Sequence, residues 1–204
     1  MVERKTAERI ADAALDILVG EGPEAVSMRR VAGAVGVTPM AIYRHYPNRE
    51  ALLRAVAADS LQELGAQWAA RQDPDPVTRI YGLLTDFLDF ALGRPNLYLF
   101  LMAERREQAP HFPEDLHSGE TLACGVVVTA VEQGMHEGTL KPDDPLEVAL
   151  ALTAPAQGLV QLYLGGRIAM PESEFRALCR RTTERILHGI TAQASAQSSA
   201  WPSA

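Results

Sequence analysis

The stretch Ser27 to Tyr46, SMRRVAGAVGVTPMAIYRHY, constrains the fold more than any other part of the chain, because it must begin a helix, end it and begin another almost at once. Ser27 can accept hydrogen bonds from the free backbone N–H groups of a helix start, and Val31, Ala32 and Val35 recur at helical spacing on one apolar side. Gly36 follows the last periodic residue, where a left-handed backbone costs least for glycine, and Val37 can turn back toward the core. Thr38 then offers a second N-cap with Pro39 at the first helical position, so a new helix opens with Ile42 and Tyr46 on its inner side. Two short helices joined by so brief a connection form a helix-turn-helix. Ala32 lies where the second helix crosses the first, so a bulkier side chain there would push them apart.

The outer face of the second helix is left with Thr38, Met40, Ala41, Tyr43, Arg44 and His45. A helix enters a DNA major groove near its N-terminus, where the dipole and a capping hydroxyl suit phosphates and short side chains read base edges. Met40 and Ala41 suit thymine methyl groups as well as hydrogen bonds, and Arg29, on the preceding helix, can reach guanine O6 and N7 with its planar fork. Arg49, after Asn48 at the start of a further helix, stands where a phosphate clamp would. Net charge alone would not suggest this, since the chain carries -7 with a pI near 5.2. Up to residue 54, however, eight Lys and Arg face seven Asp and Glu, against eleven and nineteen in the remainder, so the acidity is confined to the later part.

The segment from about Lys5 to Leu64 resembles the DNA-binding domain of the tetracycline repressor family of bacterial transcriptional regulators. The likeness covers a first helix with Ile10, Ala13, Ala14, Ile17 and Leu18 on one face, the turn GEGPEAV, the two helices above and IYRHYPNREALLRAV leading into a fourth helix. It implies DNA contacts from Arg29, Thr38, Pro39, Met40, Ala41, Tyr43, His45 and Arg49, and Arg44 on the outer face and Ser27 at the helix start complete the expected set. Family members often carry lysine where this chain has Arg49, which keeps the charge and adds bidentate geometry. The implied fold is all-α, an N-terminal three-helix helix-turn-helix domain over residues 5–64 joined by a long helix to a ligand-binding and dimerisation domain over residues 75–192.

The later chain carries helical patterns at 49 to 71, 77 to 93, 95 to 107, 119 to 137, 145 to 166 and 171 to 191, without strand alternation or an internal repeat. The Ala-, Ser- and Gln-rich stretch 193–204 reads as a disordered tail. By resemblance the later part takes up a small effector and pairs with a second copy through its last two helices, which present Val148, Leu152, Leu159, Leu162, Phe175, Leu178, Ile186 and Ile190. Two copies of the reading helix would then meet successive major grooves of a palindromic operator. Candidate effector contacts form a set that mixes apolar bulk with a few polar tips, as ligand cavities do: Tyr98, Met102, Val127, Val131, Gln157 and Gln161. The expected protein is thus a homodimeric, ligand-responsive regulator, a repressor released from DNA by a small apolar or aromatic molecule.

Other chemistries fit less well. His111, Glu114 and His117 in HFPEDLH, and Glu132 with His136, have the residue types of a metal site, but prolines place the first in a surface loop and no cysteine pair accompanies either. No cofactor or metal is expected. No set of nucleophile, base and orienting acid can be assembled, so an enzyme is disfavoured; a ligand-independent DNA-binding or protein-interaction module is the alternative. Cys124 and Cys179 have no paired spacing, no signal peptide precedes them, and no apolar run is long enough for a membrane span, so a cytoplasmic location is expected.

Overall fold

Prolines and short polar side chains decide where the helices begin. In the computed structural model, which describes residues 2–71, 73–103 and 122–191, Pro39, Pro76 and Pro145 each open a helix behind Thr38, Asp75 and Asp144, whose side chains accept the first free N–H groups. The elements are α1 (Val2–Glu21), a 3-10 turn (Pro23–Ala25), α2 (Met28–Val35), α3 (Pro39–Tyr43), α4 (Arg49–Ala69), α5 (Pro76–Gly93), α6 (Pro95–Ala103), α7 (Leu122–His136), α8 (Pro145–Leu164) and α9 (Glu172–Ile190). Among the described residues the one β pairing is an isolated antiparallel bridge between Leu140 and Thr191.

These bounds follow the sequence pattern to within a few residues. The end of the pattern at 95 to 107, the start of that at 119 to 137, the HFPEDLH loop and the tail from 193 lie outside the described residues. Helix α8 passes through Pro155 without stopping, a residue whose missing N–H would ordinarily interrupt the ladder. Its neighbours Leu152, Ala156 and Val160 are buried, and this packing holds the turn in place.

A first cluster packs Ile10, Ala14 and Leu18 of α1 against Val31 and Ala32 of α2, Ile42 of α3 and Leu52 and Val56 of α4. The core continues through Ile80 and Phe90 of α5, Leu97 and Tyr98 of α6, Val131 of α7, Val160 of α8 and Phe175 of α9. Helix α4 belongs to both parts, touching α1 and, more extensively, α7. At its far end Trp68 meets Phe90 edge to face with ring centroids 6.4 Å apart.

Just beyond that end, Arg71 donates from Nε and Nη2 to the two oxygens of Asp86, each at 2.8 Å, and from Nη1 to Asp73 at 2.7 Å. The fork lies across Gly82, one turn before Asp86, and a Cβ there would fall on the guanidinium. The glycine is therefore what lets Arg71 lie flat on α5. A second arginine, Arg79, ties the same loop to α7 by donating to the Asp73 carbonyl and to the Gln133 side chain.

Candidate nucleic-acid interface

The N-terminal head, α1 to α3 with the start of α4, is assembled by short-range caps and three longer struts. The Ser27 hydroxyl accepts from the Arg30 N–H and the Thr38 hydroxyl from the Ala41 N–H, both at 3.3 Å. Between them Gly36 takes φ 76° and ψ 34°, a left-handed conformation that turns the chain between α2 and α3. Ala32 and Ile42 are buried where the two helices cross. The struts come from farther away. The Arg9 guanidinium donates to the Val35 carbonyl at 3.0 Å, covering the C-terminal end of α2, and the Tyr46 hydroxyl donates to the Ala7 carbonyl at 3.3 Å. The third strut is Arg49.

This scaffold leaves a face of side chains with little packing of their own. Met40 is 69% exposed and Tyr43 48%, unusual values for large side chains in a head whose other apolar groups are mostly inside. Ser27, Arg29, Thr38, Pro39 and Arg44 are exposed around them, while Ala41 and His45 are half-buried. Arg29 and Arg44 have no ion-pair partner among the described residues, whereas Arg30 turns away and pairs with Glu21 at the end of α1. Two unpaired guanidinium groups beside exposed apolar side chains on a short helix can meet phosphates and base edges together.

Arg49 differs from the other expected contacts. Its Nε donates to the Val26 carbonyl at 2.8 Å and its Nη2 to the Pro23 carbonyl at 2.6 Å, both in the link between α1 and α2. Its Nη1 stands 4.0 Å from the Glu50 carboxylate.

The expected effector contacts are more scattered. Tyr98 and Val131 are fully buried and Val127 half-buried, but Met102, Gln157 and Gln161 are exposed. The Tyr98 hydroxyl has no hydrogen-bond partner. Burial raises its pKa, and the Gln161 side chain is the polar group close enough to oppose that rise. Phe87 and Phe90 meet the Tyr98 ring edge to face, with centroids 5.9 and 6.2 Å away. A groove of about 770 Å³ opens elsewhere, between α4 and α5, over Leu64, Trp68 and Phe90 with Arg71, Asp86 and Arg94 at its rim. It shares no residue with the expected set. Glu132 and His136 are both exposed, and no group of three metal-ligating side chains occurs among the described residues.

Sequence reasoning missed Arg9, Asn96 and the Arg71 cluster. Asn96, in the first turn of α6, donates to the Val19 carbonyl near the end of α1 at 3.0 Å, a direct tie between head and body. Gly82 did carry a signal, since an isolated glycine inside a helical pattern marks close approach of another group.

Comparison with known proteins places these features in context. A family model described as bacterial regulatory proteins, tetR family, matches residues 10–56, and a second, described as tetracyclin repressor-like, C-terminal domain, matches residues 80–186. Nucleoid occlusion factor SlmA of Haemophilus influenzae is 29% identical over 105 residues, 47% of this chain and 47% of that protein, so the chain spans about half the length of this relative. The HTH-type transcriptional regulator TtgR of Pseudomonas putida is 29% identical over 177 residues, 79% of this chain and 81% of that one. The crystal structure of a TetR transcription regulator from Haloarcula marismortui superposes with a TM-score of 0.73 at 20% identity, covering 92% of this chain and 99% of the other.

Proposed function

The chain belongs to the tetR family of bacterial regulatory proteins, and on that footing we propose that it represses transcription as a homodimer on a palindromic operator and is released by a small apolar or aromatic effector. It is a DNA-binding transcriptional regulator and not an enzyme. Among the described residues no helix is long and apolar enough to cross a membrane.

The observation that carries the proposal is the outer face of α3, where Met40 and Tyr43 stand in solvent beside the unpaired Arg29 and Arg44. Such a face has no role in packing the head, and its mixture of cations, hydroxyls and apolar groups suits a major groove. A five-residue helix spans only about 7.5 Å, too little to read an operator alone. Pairing supplies a second reading helix, and α8 and α9 offer a surface for it. Val148, Leu152 and Phe175 are used up in the chain's own core, but Leu162 is exposed and Leu159, Leu178, Ile186 and Ile190 are half-buried.

For effector control, the unpartnered Tyr98 hydroxyl is the supporting feature. A buried hydroxyl left without a partner costs about 1 to 3 kcal/mol, so a ligand that reached it with one polar atom, its apolar part against Phe87 and Phe90, would gain from supplying that partner. We assign reading to residues 5–64 and effector binding with dimerisation to residues 75–192.

The test is DNA binding by fluorescence anisotropy, using a duplex selected from a random library by the protein itself. Binding should weaken steeply with salt, and Arg29→Ala should cost about 1 to 3 kcal/mol while relaxing preference at one base position. Selection that returns no palindrome, or binding insensitive to salt, would sink the proposal. A thermal-shift screen of apolar and aromatic metabolites tests the effector, since a ligand of the folded state raises the melting temperature.

A further inference from the structure

We propose that Arg49 is a positioning residue that fastens the reading head to α4, in place of the phosphate contact its position suggests. Its fork is occupied within the molecule. Nε and Nη2 hold the carbonyls of Val26 and Pro23, at 2.8 and 2.6 Å, across a separation of 23 and 26 residues. The Pro23 carbonyl already accepts the Val26 N–H at 3.1 Å, so the 3-10 turn closes on itself and Arg49 adds a second hold from outside. To reach a phosphate with the same two N–H groups, the side chain would have to abandon both carbonyls, and the Val26 side chain beside them is buried in the head's core.

The location of the two carbonyls gives the contact its consequence. Val26 immediately precedes Ser27, the N-cap of α2, and Arg49 is the first residue of α4 behind its own cap, Asn48, whose side chain accepts the Ala51 N–H at 2.7 Å. The fork therefore joins the start of α4 to the start of α2, and α2 carries α3 through the Gly36 turn. At the other end of α4, Arg71 makes a comparable fork onto Asp86 of α5. Helix α4 is thus held by an arginine at each end, one gripping the head and one gripping the body. Arginine is required at position 49 because two acceptors must be met by parallel N–H groups of one rigid plane; a lysine ammonium is a point charge on a flexible stem.

With α3 as the DNA-reading helix, on which this role depends, the two readings of Arg49 separate in one experiment. Wild type, Arg49→Lys, Arg49→Ala and Arg44→Ala are titrated into the selected duplex at several salt concentrations, and deuterium uptake of residues 23–30 is followed in each free protein. A positioning role predicts that Arg49→Ala weakens binding at least tenfold with an unchanged salt slope. It predicts that Arg49→Lys fails to restore affinity and that both variants take up deuterium faster over residues 23–30. Arg44→Ala should instead reduce the slope by about one and leave uptake unaltered. Restoration by lysine, with a slope reduced by about one in Arg49→Ala, would overturn the assignment in favour of a phosphate contact. If wild type binds no duplex, the regulator reading fails, and the exchange data still judge the strut: unchanged uptake in both Arg49 variants refutes it.

Discussion

Two glycines, Gly82 in α5 and Gly20 in α1, show how a single atom changes the outcome of a substitution. An added methyl at Gly82 would meet the Arg71 guanidinium, whereas one at Gly20, near the exposed end of α1, meets nothing within 4 Å. Gly20→Ala should therefore stabilise by about 0.5 to 1 kcal/mol through helix propensity, while Gly82→Ala should lose about 1 kcal/mol net as the bidentate pair with Asp86 is displaced. Thermal melts of the two variants, moving in opposite directions, check this. Tyr98→Phe removes a hydroxyl that has no partner, so its melting temperature should hold or rise. A loss above about 1 kcal/mol would show that the hydroxyl is bonded after all. If the effector bonds this hydroxyl as proposed, the phenylalanine variant should lose response to a hydrogen-bonding effector while keeping DNA affinity.

Among the elements, α2 and α3 are the pair most sensitive to volume. Ala32 is 1% exposed beneath α3, so Ala32→Leu should overpack the crossing, cost about 1 to 3 kcal/mol and abolish specific DNA binding; a melt and a binding titration follow the two losses. The bounds of these helices were legible because each signal acts within its own turn. Ser27, Gly36, Thr38 and Pro39 satisfy or release backbone groups three or four residues away, and the chemistry is written in adjacent letters. The struts were not legible, since Arg9 reaches Val35 and Arg49 reaches Val26 and Pro23 only after the chain has folded back. The same limit applied to the effector residues. Tyr98 and Gln161 are polar-tipped residues in helical stretches, but which of them points inward depends on how α6 and α8 cross, and Gln161 is exposed while Tyr98 is buried. Helical spacing places residues on a face without saying what that face meets.

For the whole molecule, the expected dimer makes α8 and α9 the decisive surface. Leu162→Glu places a charge on an exposed apolar position and should leave the monomer folded while blocking self-association. Sedimentation should then report a monomer whose affinity for a half-site is retained and whose affinity for the full palindrome is lost; a variant that remains dimeric would point to another interface. Helix α4, which packs on both α1 and α7, has 21 residues and spans about 31 Å. A pole of that length, gripped at both ends, works as a lever with little slack. Turning its body end by about 5° carries its head end sideways by about 3 Å, close to the 3.4 Å rise between successive bases. The reading face would then fall one base out of step, so an adjustment smaller than a side chain in the body is enough to make the operator unreadable.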